Sequence, residues 1–101
     1  MAKAYWIAQV EVSDPDAYKA YVAANATAFA KYGARFLVRA GRHLVAEGTS
    51  KSRQVVIEFK DYDTALACYR SPEYQAAMKL RETASTGDLV IAEGYDGPQP
   101  G

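Results

Sequence analysis

The chain has 101 residues, with twelve basic and twelve acidic side chains and a formal net charge of +0. A neutral chain has no overall field that attracts a nucleic-acid backbone or an anionic membrane, and we expect neither as a partner. One cysteine cannot form an internal disulfide or a cysteine-rich metal site, so we expect a cytoplasmic protein without metal or cofactor.

The opening of the chain does not have the pattern of a signal peptide. "MAKAYWIAQVEV" is interrupted by Gln9 and Glu11, and nowhere do about 18 apolar residues follow one another, as a membrane helix requires. We therefore expect a single soluble domain over residues 4–96. Residues 97–101 are rich in proline and glycine and are expected to form a flexible tail.

The first two predicted elements are a strand and a helix. "AYWIAQVEV" (4–12) alternates in hydrophobicity with the two-residue period of a strand. Residues 13–33 carry a helix signature, with Ser13 or Asp14 as N-cap and Pro15 at the first helical position. Its predicted inward stripe has spacings of three and four and consists of Tyr18, Tyr21, Val22, Ala28, Phe29 and Tyr32.

The middle of the chain predicts two more strands. Residues 34–48 contain two short apolar runs broken around Gly41, which indicates a strand with a bulge or a short hairpin. Residues 52–61 alternate again and predict a third strand.

The last third of the chain predicts a helix and a final strand. Residues 61–85 form a helical pattern that Ser71-Pro72 interrupts, because proline lacks a backbone donor. Residues 88–94 form the last strand. The resulting βαββαβ order predicts a ferredoxin-like α+β sandwich, with a four-stranded antiparallel sheet and two helices on one face.

The helix-free face of this sheet is predicted to be apolar, since it would carry Tyr5, Ile7, Leu37 and Val56. Such a face is usually covered, and we expect a homodimer that pairs two copies through it. The alternation of the strands places five polar residues on the same face: Gln9, Glu11, Arg35, Arg39 and Glu58. Buried charges need partners, so a bridge from Arg39 to Glu58 or to Glu11 is predicted.

Several blocks together resemble a known bacterial family. The segments "YWIAQVEV", "RFLVRAG", "VVIEF" and "CYRSPEYQAA" are similar to the uncharacterised dimeric α/β-barrel family called domain of unknown function 1330 (DUF1330). The resemblance covers residues 4–96 and implies ferredoxin-like monomers that pair into a dimeric α/β barrel. That superfamily includes cofactor-independent monooxygenases, muconolactone isomerases and haem-degrading enzymes. The chain departs from the family pattern at Ala34 and Ala40, where glycine is usual.

The candidate site surrounds "RSPEYQAAMKLR" (70–81). Ser71, Pro72 and Glu73 are residues typical of an ordinary helix start. Tyr74 and Arg81, in contrast, are predicted to lie on one side of the helix. Arginine at the edge of an apolar stripe either reaches water or binds a carboxylate or phenolate. The candidate ligand-binding residues are Tyr18, Tyr21, Asn25, Tyr69, Tyr74 and Arg81. Arg70 would add a second guanidinium group at the mouth of the predicted pocket.

Three other side chains have less chemical context. Asn25 lies within an apolar stripe and needs a partner, which is a ligand, a tyrosine hydroxyl or a loop carbonyl. His43, the only histidine, is either a surface residue near a turn, a haem ligand or an acid–base group. Cys68 has no neighbouring base and is interpreted as a small buried hydrophobe.

Two functions remain open from the sequence. One is a pocket for a small aromatic or carboxylate metabolite, with an activity like that of a cofactor-independent oxygenase or isomerase. The other is a non-catalytic dimeric module that senses a ligand or has a structural role. A structure in which side chains fill the crevice near Tyr74 would favour the second.

Overall fold

The computed structural model describes residues 2–101. Its elements, in chain order, are β1 (Ala4–Val12), α1 (Pro15–Lys31), β2 (Arg35–Arg39), β3 (Arg53–Phe59), α2 (Tyr62–Arg70), α3 (Pro72–Arg81) and β4 (Ser85–Glu93). Within this part of the chain, no helix has the length and apolarity needed to cross a membrane.

The four strands form one antiparallel sheet in the order β2-β3-β1-β4. The buried side chains of β1 and β3 face the helices, so the molecule has one sheet layer and one helix layer. This confirms the predicted α+β class and the ferredoxin-like order. The sheet is open, with β2 and β4 at its edges, so a single chain does not close into a barrel.

The second helical region contains two helices where the sequence analysis predicted one interrupted helix. α2 ends at Arg70 and α3 begins at Pro72. Ser71 lies between them in extended conformation, with φ −66° and ψ 149°. A residue before proline is disfavoured in the helical region, and this places the break at Ser71.

α1 begins and ends at the residues that its sequence signals predict. Asp14 caps the helix by accepting a hydrogen bond from the Ala17 amide at 3.2 Å, and Pro15 occupies the first turn. Gly33 follows the last turn with a φ of 67°, a conformation that glycine adopts without steric strain.

Trp6 is the centre of the core. Its indole N–H donates to the Ala65 carbonyl at 3.0 Å, which ties β1 to α2. The indole ring lies 4.8 Å from the Tyr74 ring and 5.3 Å from the rings of Phe29 and Phe59, centroid to centroid. The core is therefore an aromatic cluster, shared by β1, β3, α1 and α3.

β2 contains a bulge between Phe36 and Val38. Phe36 pairs with a buried position of β3, whereas Val38 pairs with Val56 on the helix-free face. The extra residue returns Arg39 to the helix side, where its guanidinium lies 4.1 Å from the Phe36 ring centroid. β2 ends there, so the predicted continuation of a strand past Gly41 is wrong; the bulge lies earlier in the chain.

The predicted bridge from Arg39 to Glu58 or Glu11 is wrong within the chain, because the bulge reverses the side on which Arg39 lies. Glu58 instead accepts a hydrogen bond from Lys3 at 3.1 Å. Glu11 accepts hydrogen bonds from the Ser52 hydroxyl at 2.7 Å and from its amide at 3.2 Å.

Ala40 occupies a backbone conformation that favours glycine. Its φ is 55°, and it follows the last residue of β2 at one of the two positions where the family pattern usually has glycine. We expect Ala40→Gly to raise the free energy of unfolding by about 0.5–1 kcal/mol, because glycine removes the steric cost of this conformation. Urea denaturation measures the change.

The matched control for Ala40→Gly is Gly33→Ala. A Cβ at Gly33 meets no atom within 4 Å, so the substitution tests conformation without a clash. Gly33→Ala should lower the free energy of unfolding by about 1 kcal/mol. Opposite signs for the two variants are expected, and a loss of stability in Ala40→Gly contradicts the steric explanation.

The helix-free face of the sheet is apolar along its centre. Ile7 pairs with Val56 on one side and with Val90 on the other. Ile7 is 43% exposed and Val90 57% exposed, and Leu37 and Val38 add to the exposed apolar surface. The predicted apolar character of this face is therefore confirmed.

Candidate functional site

A cavity of about 80 Å³ lies between α1, α3 and the helix side of the sheet. Its apolar wall consists of Trp6, Ala8, Val10, Phe36, Val55, Ile57 and Leu89. Its polar lining residues are Tyr18, Tyr21, Arg53, Tyr74, Arg81, Ser85 and Asp88. Asp88 pairs with Gln9 of β1, so its side chain lies on the helix-free side of the sheet. An apolar wall with a few converging polar groups is the usual composition of a small-molecule site.

Three polar side chains form a connected network at the helix side of the cavity. The hydroxyls of Tyr21 and Tyr74 are hydrogen-bonded at 2.8 Å. Arg81 donates from its guanidinium to the Tyr74 hydroxyl at 3.4 Å and lies 5.6 Å from the Tyr21 ring centroid. A cation is thus held beside two phenols, so an incoming oxygen anion would meet several donors in one place.

The start of α3 positions Tyr74. The Ser71 hydroxyl accepts a hydrogen bond from the Tyr74 amide at 3.1 Å and donates to the Cys68 carbonyl at 2.7 Å. The serine therefore joins the end of α2 to the start of α3 and fixes the turn that carries Tyr74. In "RSPEYQ", the Ser-Pro pair is structural, while the tyrosine that it positions faces the cavity.

The hydroxyls of Tyr18 and Tyr21 remain protonated at neutral pH. Burial raises the pKa of Tyr21, and the neighbouring Tyr74 hydroxyl raises it further. Burial also raises the pKa of Tyr18, although the guanidinium groups of Arg53 and Arg81 oppose this change. These two phenols are therefore hydrogen-bond donors and not bases at this pH.

The structure brings four of the six predicted site residues to the cavity: Tyr18, Tyr21, Tyr74 and Arg81. Asn25 is 5% exposed and lies next to the Tyr21 hydroxyl, but it is not among the residues that line the cavity. Tyr69 lies on the other side of Tyr74, where its hydroxyl contacts the Met78 sulfur at 3.7 Å. It lines a shallow neighbouring cleft that shares Arg81 with the cavity.

The second guanidinium of the cavity is Arg53, which the sequence analysis missed. The predicted candidate, Arg70, is exposed and does not line the cavity. Arg53 is the first residue of β3 and lies 5.3 Å from the Tyr18 ring centroid. Alternate residues of a strand point to the same face, so Arg53 lies on the same face as the buried Val55 and Ile57. This alternation is the sequence signal that could have identified it.

Two other candidate residues lie outside the cavity. His43 is exposed, and its Nδ1 lies 3.2 Å from the Gly41 carbonyl oxygen. Cys68 is fully buried, as predicted, and burial raises the pKa of its thiol to about 12. At neutral pH this thiol is protonated and does not act as a nucleophile.

The fold and the cavity define a ferredoxin-like α+β protein with a tyrosine- and arginine-lined pocket. The sequence model of domain of unknown function DUF1330 matches residues 3–95. The chain therefore belongs to the DUF1330 family. No curated protein matches the sequence significantly.

Solved structures share this fold at low sequence identity. RPA0582, a protein of unknown function from Rhodopseudomonas palustris, has a TM-score of 0.72 and 18% identity, over 95% of this chain and 85% of that one. SnoaB, a cofactor-independent oxygenase from Streptomyces nogalater, has a TM-score of 0.62 and 16% identity over 100% of both chains. A dimeric ferredoxin-like protein of unknown function from Thermobifida fusca has a TM-score of 0.56 and 19% identity, over 91% of both chains.

Proposed function

We propose that this protein is a homodimer that binds a small aromatic or carboxylate metabolite in the cavity between its helices and sheet. The observation that carries the proposal is the Arg81–Tyr74–Tyr21 network beside the apolar wall of the cavity. The apolar wall matches a ring or hydrocarbon body, and the donors match an oxygen anion on it.

The homodimer is supported by the apolar helix-free face. Ile7, Val56 and Val90 form a row across the central strands, and Leu37 and Val38 extend it on β2. A second copy of the same face would cover this row, and two sheets meeting in this way would give the dimeric α/β barrel. The Thermobifida fusca neighbour is described as dimeric.

An activity like that of a cofactor-independent oxygenase or isomerase is part of the proposal. In such chemistry the substrate's own enol or phenol supplies the electrons, and the protein stabilises the oxyanion. Arg81 and the Tyr74 hydroxyl are the groups placed for that role. SnoaB, which shares the fold, is described as a cofactor-independent oxygenase.

A non-catalytic, ligand-sensing module is the second candidate. It is favoured by the raised pKa values of Tyr18 and Tyr21 and by the position of Asp88. Asp88 is the acidic residue of the cavity lining, but it pairs with Gln9 on the helix-free face and its carboxylate is engaged by the Lys51 ammonium, so no carboxylate of the described lining faces a ligand. Turnover of a bound acid or phenol, followed as oxygen consumption or a changed product spectrum, separates the two candidates.

A thermal-shift scan of small carboxylic acids, phenols and quinols tests the pocket. A ligand at a hundred times its Kd is expected to stabilise the wild-type fold by about 2.7 kcal/mol. Arg81→Ala should weaken binding by about tenfold or more, because it removes a charged hydrogen-bond donor. Arg70→Ala is the matched control, since Arg70 is exposed outside the cavity. The proposal is contradicted if no compound stabilises the wild type, or if Arg81→Ala keeps the stabilisation in full.

A further inference from the structure

We infer that Arg53 and Arg81 together bind the carboxylate of a small, flat organic acid, so that the cavity selects an organic anion over a neutral phenol. This inference rests on the proposed binding function and narrows its ligand class. It also gives a ligand-binding role to Arg53, at the start of β3.

The cavity contains two guanidinium groups without an acidic partner. Among residues 2–101, the three salt bridges are made by Lys3, Lys31 and Lys51, and neither Arg53 nor Arg81 takes part in one. The side chain of Asp88, the acidic residue of the lining, lies on the helix-free side of the sheet and is paired with Lys51. The cavity is therefore locally positive although the chain as a whole is neutral.

Both cations flank the same pair of aromatic rings. The Arg53 guanidinium lies 5.3 Å from the Tyr18 ring centroid, and that of Arg81 lies 5.6 Å from the Tyr21 ring centroid. The two rings are 5.3 Å apart. The two guanidinium groups thus flank neighbouring tyrosine rings in the lining of one cavity, and the proposed ligand carboxylate lies between them.

Arg53 has an unused donor. Its Nε is buried, and the described part of the chain offers it no hydrogen-bond partner. A buried donor without an acceptor is unfavourable, and a carboxylate oxygen in the cavity would satisfy it. Arginine is also the side chain whose planar fork matches a carboxylate.

The rest of the cavity defines the body of the ligand. Trp6, Phe36 and Leu89 contribute flat or apolar surface, and the volume of about 80 Å³ restricts the ligand to a small molecule. A compact unsaturated or aromatic acid fits these conditions, with its carboxylate toward the arginines and its ring against the apolar wall.

Benzoate and benzamide are matched probes, because they share ring and shape and differ in charge. Titration calorimetry of the full chain is expected to show benzoate binding about tenfold or more tightly than benzamide. Arg53→Gln should remove this preference, and Arg53→Lys should retain part of it. Arg42→Gln, in the exposed loop after β2, is the matched control and should bind benzoate as the wild type does.

The outcomes separate the inference from the proposed function. Equal affinity for both probes, or an unchanged preference in Arg53→Gln, overturns the anion inference while the pocket remains a binding site. Binding of neither probe, together with no response to phenols or quinols, overturns both.

A measurement without ligand gives an independent test. Arg53→Met keeps the aliphatic stem and removes the charge with its unpartnered donor. The Tm of the free protein should stay constant or rise, because a buried donor without an acceptor is removed while the packing of the stem is kept. A fall of more than about 4 °C would mean that Arg53 supports the fold, and it would overturn the ligand role.

Discussion

Replacing Trp6 with alanine is expected to lower the free energy of unfolding by about 3–5 kcal/mol. Trp6 is almost fully buried and contacts the rings of Phe29, Phe59 and Tyr74 from three other elements. The substitution creates a cavity at their junction and removes the hydrogen bond to the Ala65 carbonyl. A domain of this size has a free energy of unfolding of about 5–15 kcal/mol, so a large part of its stability depends on this side chain.

Urea denaturation followed by far-ultraviolet circular dichroism measures this loss, because Trp6 is the only tryptophan and its fluorescence disappears with it. Trp6→Phe keeps an aromatic ring and should lose less than alanine does. Tyr95→Ala is the matched control: Tyr95 is 70% exposed, and its removal should change the free energy of unfolding by no more than about 0.5 kcal/mol. A loss in Trp6→Ala as small as that in Tyr95→Ala contradicts the central role of the indole.

The elements that the sequence predicted best have strong local signals. β1 has the predicted bounds, because its alternation is regular and nothing interrupts it. α1 begins at Pro15, since Asp14 and the proline act within one turn of the chain. Fold class followed from the order of the elements, which depends on their existence and not on their ends.

The part of the fold that was predicted incorrectly depends on pairing between strands. A bulge at Phe36–Val38 is a property of the ladder with β3, and no residue in β2 marks it. One extra residue moved Arg39 to the opposite face from the one that its parity implied. The predicted ion pairs of Arg39 are therefore wrong within the chain.

The candidate site was predicted where helical spacing determines which side chains meet. Tyr74 and Arg81 are seven positions apart on α3, and Tyr18 and Tyr21 are three apart on α1, so each pair shares a helix face. Arg53 was missed because an arginine at the start of a strand is usually solvated, and only its place beneath α1 and α3 encloses it. Tyr69 lies on α2, before the break at Ser71, so it does not share the face of α3 that carries Tyr74 and Arg81, and it lines the neighbouring cleft instead.

Substitution of Ile7 by aspartate is expected to convert the proposed homodimer to a monomer of 11.0 kDa. Ile7 lies between Val56 and Val90 at the centre of the helix-free face, so a charge there would be buried without a partner in both copies. Loss of apolar burial adds to this penalty. The combined effect of at least about 4 kcal/mol corresponds to a Kd about a thousandfold higher.

Sedimentation equilibrium at micromolar concentration measures the mass of each variant, and circular dichroism verifies that Ile7→Asp is folded. Ala23→Asp is the matched control, because Ala23 is exposed on α1, away from the helix-free face, and should leave the mass unchanged. A wild-type particle of 11.0 kDa excludes the dimer at this concentration. A dimeric Ile7→Asp variant instead excludes the helix-free face as the interface, and the contact between copies must then involve the helices or an edge strand.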